Sequence, residues 1–153
     1  MSISVMYNAC FGGFGLSAAA IAEYRRRCPN AEEDLPDYRI PRHDPVMVAI
    51  VREMGAAAND RFSLIHLRTL PAHYEKYYTI REYDGMESVA VRRHEYQVDA
   101  IKSILGDRTT SKADKLARIS AVVNAEDAED KFGHEFCGAS GGGWDAADDD
   151  FIE

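Results

Sequence analysis

Cys10 stands two residues before a glycine run, in Cys10-Phe11-Gly12-Gly13-Phe14-Gly15-Leu16-Ser17. A thiol at a strand end and close to a helix start can be held as the thiolate, and His43 or His66 would be its base in nucleophilic catalysis. The competing reading is a small buried hydrophobe. The glycines suggest a second chemistry, because backbone donors converge on an anion at such a turn and a helix N-terminus adds roughly half a positive charge. Asn8, Cys10, Gly12, Gly13, Gly15 and Ser17, with Arg42, His43 and Asp44, form a candidate ligand site suited to a small phosphorylated molecule such as a nucleotide. There is no Gly-Lys-Ser/Thr, and the spacing is not Gly-x-Gly-x-x-Gly, so neither a P-loop nor a dinucleotide fingerprint is present. In the structural alternative the glycines allow a sharp turn while Phe11 and Phe14 pack into the core.

A second cluster is acidic. Asp84-Gly85 is the best short hairpin signal in the chain, since both central positions of that turn need positive φ. It pairs residues 77–83 with 86–92 and places Glu82 opposite Glu87, Ile80 opposite Val89 and Tyr78 opposite Val91. Like charges directly opposite destabilise a sheet. Glu82, Asp84 and Glu87 therefore either meet a cation or basic partner or splay into solvent. His134 and Cys137 sit three apart, but two ligands without two more do not make a metal site, and no metal or cofactor is expected. Arg25-Arg26-Arg27 and Arg92-Arg93 could touch phosphates, although the first cluster reads better as a helix end favoured by the dipole. Direct nucleic-acid binding by the body is not expected.

The elements that must position these residues follow from periodicity. Ile3, Val5 and Tyr7 alternate with Ser4, Met6 and Asn8, as in a half-buried strand. Ser17 caps a helix carrying Leu16, Ala20, Ile21 and Tyr24, and Asp44-Pro45 opens another with Met47, Val48, Val51 and Met54 on one face. Pro29, Pro36 and Pro41 make the stretch between them a loop. Residues 63–70 read as a strand. Val98, Ile101, Ile104 and Leu105 suit a helix ending at Gly106, and Ser111-x-x-Asp114 starts another bearing Leu116, Ile119 and Val122. The fold class expected is α+β: a strand, two helices, then a three-stranded antiparallel meander, with the helices on one face of a small antiparallel-rich sheet. A helical hairpin (94–124) and an acidic, flexible tail (125–153) follow residues 2–92, so that residues 1–124 form a single domain.

Of the 153 residues, 1–125 hold 17 Lys+Arg and 16 Asp+Glu, whereas 126–153 hold ten acids against Lys131 alone. The formal charge of −8 is therefore a C-terminal property. Three cysteines at wide spacing indicate no disulfide framework, and no run approaches the length of a membrane helix. A soluble, unexported protein without a membrane partner is expected. Trp144, Asp148, Asp149, Asp150, Phe151 and Ile152 are candidate partner-binding residues, because a small apolar anchor beside an acidic run can enter a basic pocket. The plan is similar to the C-terminal tip of bacterial single-stranded-DNA-binding proteins, without its usual proline. Acidic tails also serve as solubilisers.

The segment Asn8-Ala9-Cys10-Phe11-Gly12-Gly13-Phe14-Gly15-Leu16-Ser17 resembles one in a family of small proteins encoded by bacteriophages and large DNA viruses. Ile40-Pro41-Arg42-His43-Asp44-Pro45 and Ile80-Arg81-Glu82-Tyr83-Asp84-Gly85-Met86-Glu87 continue the resemblance, which spans roughly residues 2–92. It implies a viral setting and an α+β fold and transfers no catalytic residues. The resulting expectation is a non-catalytic phage accessory protein that binds a host or phage protein in the cytoplasm of the infected cell. A binder, sequestering protein or enzyme for a small phosphorylated ligand at the glycine turn is the first alternative, and a virion component is the second.

Overall fold

The computed structural model describes residues 1–30, 36–125 and the short strand at 134–136. The fold is α+β. Strand β1 (Ser2–Asn8) pairs antiparallel with β2 (Ile65–Pro71), Val5 facing Arg68 and Tyr7 facing His66. On the far side of β2 lies β5 (His134–Phe136), antiparallel, with Phe136 opposite His66 and His134 opposite Arg68. Strands β3 (Tyr78–Tyr83) and β4 (Met86–Val91) form a separate two-stranded sheet. The expected three-stranded meander is thus corrected, since β2 does not continue into β3. A 3-10 turn at Ala72–Tyr74 follows Pro71 directly and redirects the chain, and β2 finds its partners in β1 and β5.

Helix α1 (Ala18–Arg27) is capped by Ser17, whose side chain accepts the Ala20 N–H. Helix α2 (Pro45–Met54) is capped by Asp44, whose Oδ1 accepts the N–H groups of Val46 and Met47, each at 2.9 Å. These caps satisfy donors that a helix start otherwise leaves orphaned. Both helices cover one face of the β1–β2 pair, and Met6, Tyr24, Met47, Ile50 and Leu67 meet there in the main core. The β3–β4 hairpin covers the opposite face, where Val5, Tyr7, Leu70 and Val89 form a smaller core. Alternation in β1 suggested one wet face, but Val5, Met6, Tyr7 and Asn8 are all buried because the hairpin occupies the second side.

Helices α3 (Arg93–Gly106) and α4 (Lys112–Asn124) form the expected helical hairpin, and the Ser111 cap accepts the Asp114 N–H. Ile104 is the one fully buried side chain of α3, and α4 has none. The pair is fastened to the body through Tyr96. Its ring stacks on His73 at 4.5 Å and meets Tyr74 and Tyr77 edge-on. Among the described residues no helix is long and apolar enough to cross a membrane.

Candidate functional site

Asn8 ends β1 and is completely buried, so its amide needs partners. Its Nδ2 donates to the carbonyls of Cys10 at 2.6 Å and Gly85 at 2.7 Å. Its Oδ1 accepts the Leu64 N–H at 2.8 Å, and its own backbone N–H donates to Glu87 Oε2 at 2.9 Å. One side chain thereby ties the glycine turn, the loop before β2 and the tip of the β3–β4 hairpin to the end of β1.

Glu87 is the charged half of this hub, with only 7% of its side chain exposed. Arg42 neutralises it in a two-pronged contact, Nη1 to Oε2 and Nη2 to Oε1, both at 2.8 Å. The guanidinium carbon also lies 3.3 Å from the centre of the Phe14 ring. Glu82, directly across the sheet, turns away and accepts the Gly85 N–H at 2.6 Å. The opposed pair foreseen on the hairpin therefore resolves into one carboxylate with a basic partner inside the protein and one that caps its own turn. Asp84 and Gly85 both have positive φ, 51° and 84°, as the turn requires. A side chain at position 85 would also strike the Phe11 carbonyl oxygen at 2.4 Å.

The glycine turn is in place between β1 and α1, with its polar groups engaged by the protein itself. The Leu16 N–H donates to Asp37 Oδ2 at 3.2 Å, and the Gly15 carbonyl accepts from Ser63 Oγ at 2.5 Å. The Ser17 hydroxyl donates to the Ala57 carbonyl at 2.6 Å while capping α1. A side chain at Gly12 would overlap the Phe62 carbonyl oxygen, 1.6 Å away, and one at Gly15 would meet the Asp60 carboxylate. Two carboxylates, Asp37 and Asp60, thus stand where a phosphate would have to sit. With Arg42 committed to Glu87, the local charge opposes an anion. Asp37, Asp60 and Phe62 were missed in the sequence; Asn59-Asp60 signals a turn, but nothing local says which turn it meets.

Cys10 Sγ lies within hydrogen-bonding reach of the Phe62 carbonyl at 3.1 Å and Asn8 Oδ1 at 3.3 Å, and neither candidate base is among these contacts. His43 follows Arg42, whose carbonyl accepts the Met6 N–H at 2.7 Å, and it borders a cavity with Ser2 and Ser4 on the side of β1 away from Cys10. At about 3.3 Å per residue of strand, Met6 itself is on the order of 13 Å from Cys10. His66 faces Tyr7 across the ladder, ring edge to ring face at 5.7 Å. His43 is instead held by Tyr78, whose hydroxyl is 2.8 Å from Nδ1, and by Glu75, 3.2 Å from Nε2. Burial pushes the Tyr78 hydroxyl above its usual pKa, the nearby Arg42 acting in the opposite direction, so Tyr78 keeps its proton at neutral pH. Asp44 serves as the α2 cap and accepts the Tyr24 hydroxyl at 3.2 Å. The structure thus gathers Asn8, Cys10, Gly12, the Arg42 side chain and Glu87 at one end of β1, while His43 and Asp44, next in the chain, turn to other partners, Tyr78 with Glu75 and Tyr24.

Around the hub the backbone presents an exposed aromatic end. Phe11, Phe62 and Tyr83 are 62%, 60% and 77% exposed, and Leu64 and Met86 accompany them at the surface. The Phe11 backbone abuts the hairpin tip at Gly85, and Phe62 abuts Gly12, so three loops share this surface. Arg26 and Arg27 of the basic cluster pair with Glu23, and Arg27 also pairs with Glu53. That triplet is a helix end with most of its charge returned to neighbours. Trp144, Asp148, Asp149, Asp150, Phe151 and Ile152 lie outside the described residues. Comparison with protein-family models, curated proteins and solved structures finds no match to this chain.

Proposed function

We propose that the chain acts by binding a protein partner rather than by turnover, as a small accessory protein in the viral setting that its three motifs suggest, and that it does so in the cytoplasm of the infected cell. The observation that carries this reading is the aromatic end built from Phe11, Phe62, Leu64, Tyr83 and Met86. Large exposed aromatics are expensive to leave in water and are characteristic anchors of interfaces. Here they sit on two loops and at the tip of the β3–β4 hairpin, whose backbones are fixed by Asn8 and by the Arg42–Glu87 pair. A preorganised surface loses little conformational freedom on binding. The acidic segment would supply a second, electrostatically steered contact.

The test is an affinity pull-down from phage-infected cells with three baits: the full chain, Phe62→Asp combined with Tyr83→Asp, and a chain ending at residue 137. Capture of a discrete partner by the first bait and its loss with the second supports the reading. Equal capture by all three would remove both surfaces from it. A thermal-shift screen against nucleotides addresses the phosphorylated-ligand alternative, because a ligand at 100 times its dissociation constant stabilises by about 2.7 kcal/mol. A shift of that size with any nucleotide would displace the protein-binding reading.

A further inference from the structure

We infer that the acidic C-terminal segment, residues 138–153, docks within its own chain into the groove between α3 and α4. The groove is about 350 Å³ and its lining is mostly apolar, from Tyr96, Ala100, Ile104, Ala121 and Val122, with Ser103 and with Arg118, which also pairs with Asp107 at 3.5 Å. Its walls are under-packed for a helical hairpin. Helix α4 buries no side chain, and Val98, Leu105, Leu116 and Val123 are exposed along the pair. Two helices of 14 and 13 residues gain little from propensity alone and depend on covering an apolar stripe.

Charge selects the occupant. Residues 1–91 carry ten Lys+Arg against twelve Asp+Glu, residues 92–124 carry seven against four, and residues 126–153 carry one against ten. The helical hairpin is therefore the one net-positive section of the chain. Residues 138–153 contain five acids, no Lys or Arg, and the apolar anchors Trp144, Phe151 and Ile152. A second copy of the hairpin would bring like charge to like, whereas the acidic segment brings opposite charge together with aromatic side chains sized for the groove. Tethering in one chain raises its effective concentration to the millimolar range, so even weak contacts would be occupied.

The path is long enough. Strand β5 ends opposite His66, and the chain must pass the length of β2 and most of α3 to reach Ile104. That is about 35 Å from the rises of a strand and a helix; the 15 residues from Phe136 to Phe151 span roughly 50 Å when extended, and the eight residues to Trp144 span roughly 26 Å, enough for the near end of the groove at Tyr96, which stacks on His73 just past β2. The inference goes beyond the binding function proposed above. It implies that the segment is held in reserve until a tighter partner takes it, and it stands or falls without knowing that partner.

Trp144 is the chain's single tryptophan, so its emission reports the contact in the intact protein. The expected result is emission at shorter wavelength, and weaker quenching by acrylamide, than in a synthetic peptide of residues 138–153. Both should return to the peptide's behaviour in high salt and in Arg118→Glu or Ala121→Glu, with far-UV circular dichroism showing the helices retained. Should Ala121→Glu unfold the hairpin, Lys112→Glu tests the same charge from an exposed position. Emission and quenching equal to the peptide's overturn the inference. So does shielding that is released by Phe62→Asp but not by Arg118→Glu, which would place the segment on the aromatic end, or shielding lost on dilution, which would require a second copy.

Discussion

Replacing Arg42 by alanine strips the counter-charge from a carboxylate that is 7% exposed and leaves it one remaining donor, the Asn8 backbone N–H. Breaking a buried ion pair from one side costs about 3–5 kcal/mol. The Arg42 side chain is 18% exposed, so water can reach the vacated position, and the expected cost falls to about 2–4 kcal/mol. For a chain of this length each kcal/mol moves the melting temperature by about 2–4 °C, which puts the loss near 10 °C. The double variant Arg42→Met with Glu87→Leu removes both charges while keeping apolar volume. It should recover most of that loss, because the desolvation penalty disappears with the charges. Urea titrations followed by circular dichroism on Arg42→Met, Glu87→Leu and the double variant give the coupling energy as a cycle. A single-variant cost below about 1 kcal/mol, or costs that simply add, would refute the assignment of this pair as the electrostatic centre of the hub.

Three further outcomes follow from the geometry. Gly12→Ala places a methyl group on the Phe62 carbonyl and should cost at least as much as a typical overpacked core site, about 1–3 kcal/mol, although Gly12 itself is exposed; urea titration reads it directly. Asp44→Ala removes the α2 cap for about 1 kcal/mol. It should also lower the Tyr24 hydroxyl from about 12, where burial and then the Asp44 charge hold it, as followed by ultraviolet titration of tyrosine. His73 has its pKa lowered by the cover of neighbouring rings, so the folded protein resists its protonation more than the unfolded chain does. That contribution is complete above the unfolded value near 6.5 and is lost as pH falls through the lower folded value. Melting temperatures measured from pH 8 to 5 should therefore fall less steeply for His73→Phe than for the parent chain.

Several features were legible in the sequence because a few neighbouring residues decide them. Ser17, Asp44 and Ser111 cap helices through donors two or three residues away, and Asp84-Gly85 sets both the turn and the register from Tyr78↔Val91 to Tyr83↔Met86. The α+β class follows from counting those elements. What covers each element depends on contacts far apart along the chain, and only the tertiary structure decided it. The two-residue period of β1 marks two faces but cannot say that helices take one and the β3–β4 hairpin the other. The glycine turn has the composition of an anion cradle until Asp37 and Asp60 arrive from other loops. Glu87 looks like half of a repulsive pair until Arg42, 45 positions earlier, is brought to within 2.8 Å of it. Local propensity acts over a turn of chain, whereas the burial of charge is settled wherever folding happens to exclude water, and no spacing in the sequence records that place.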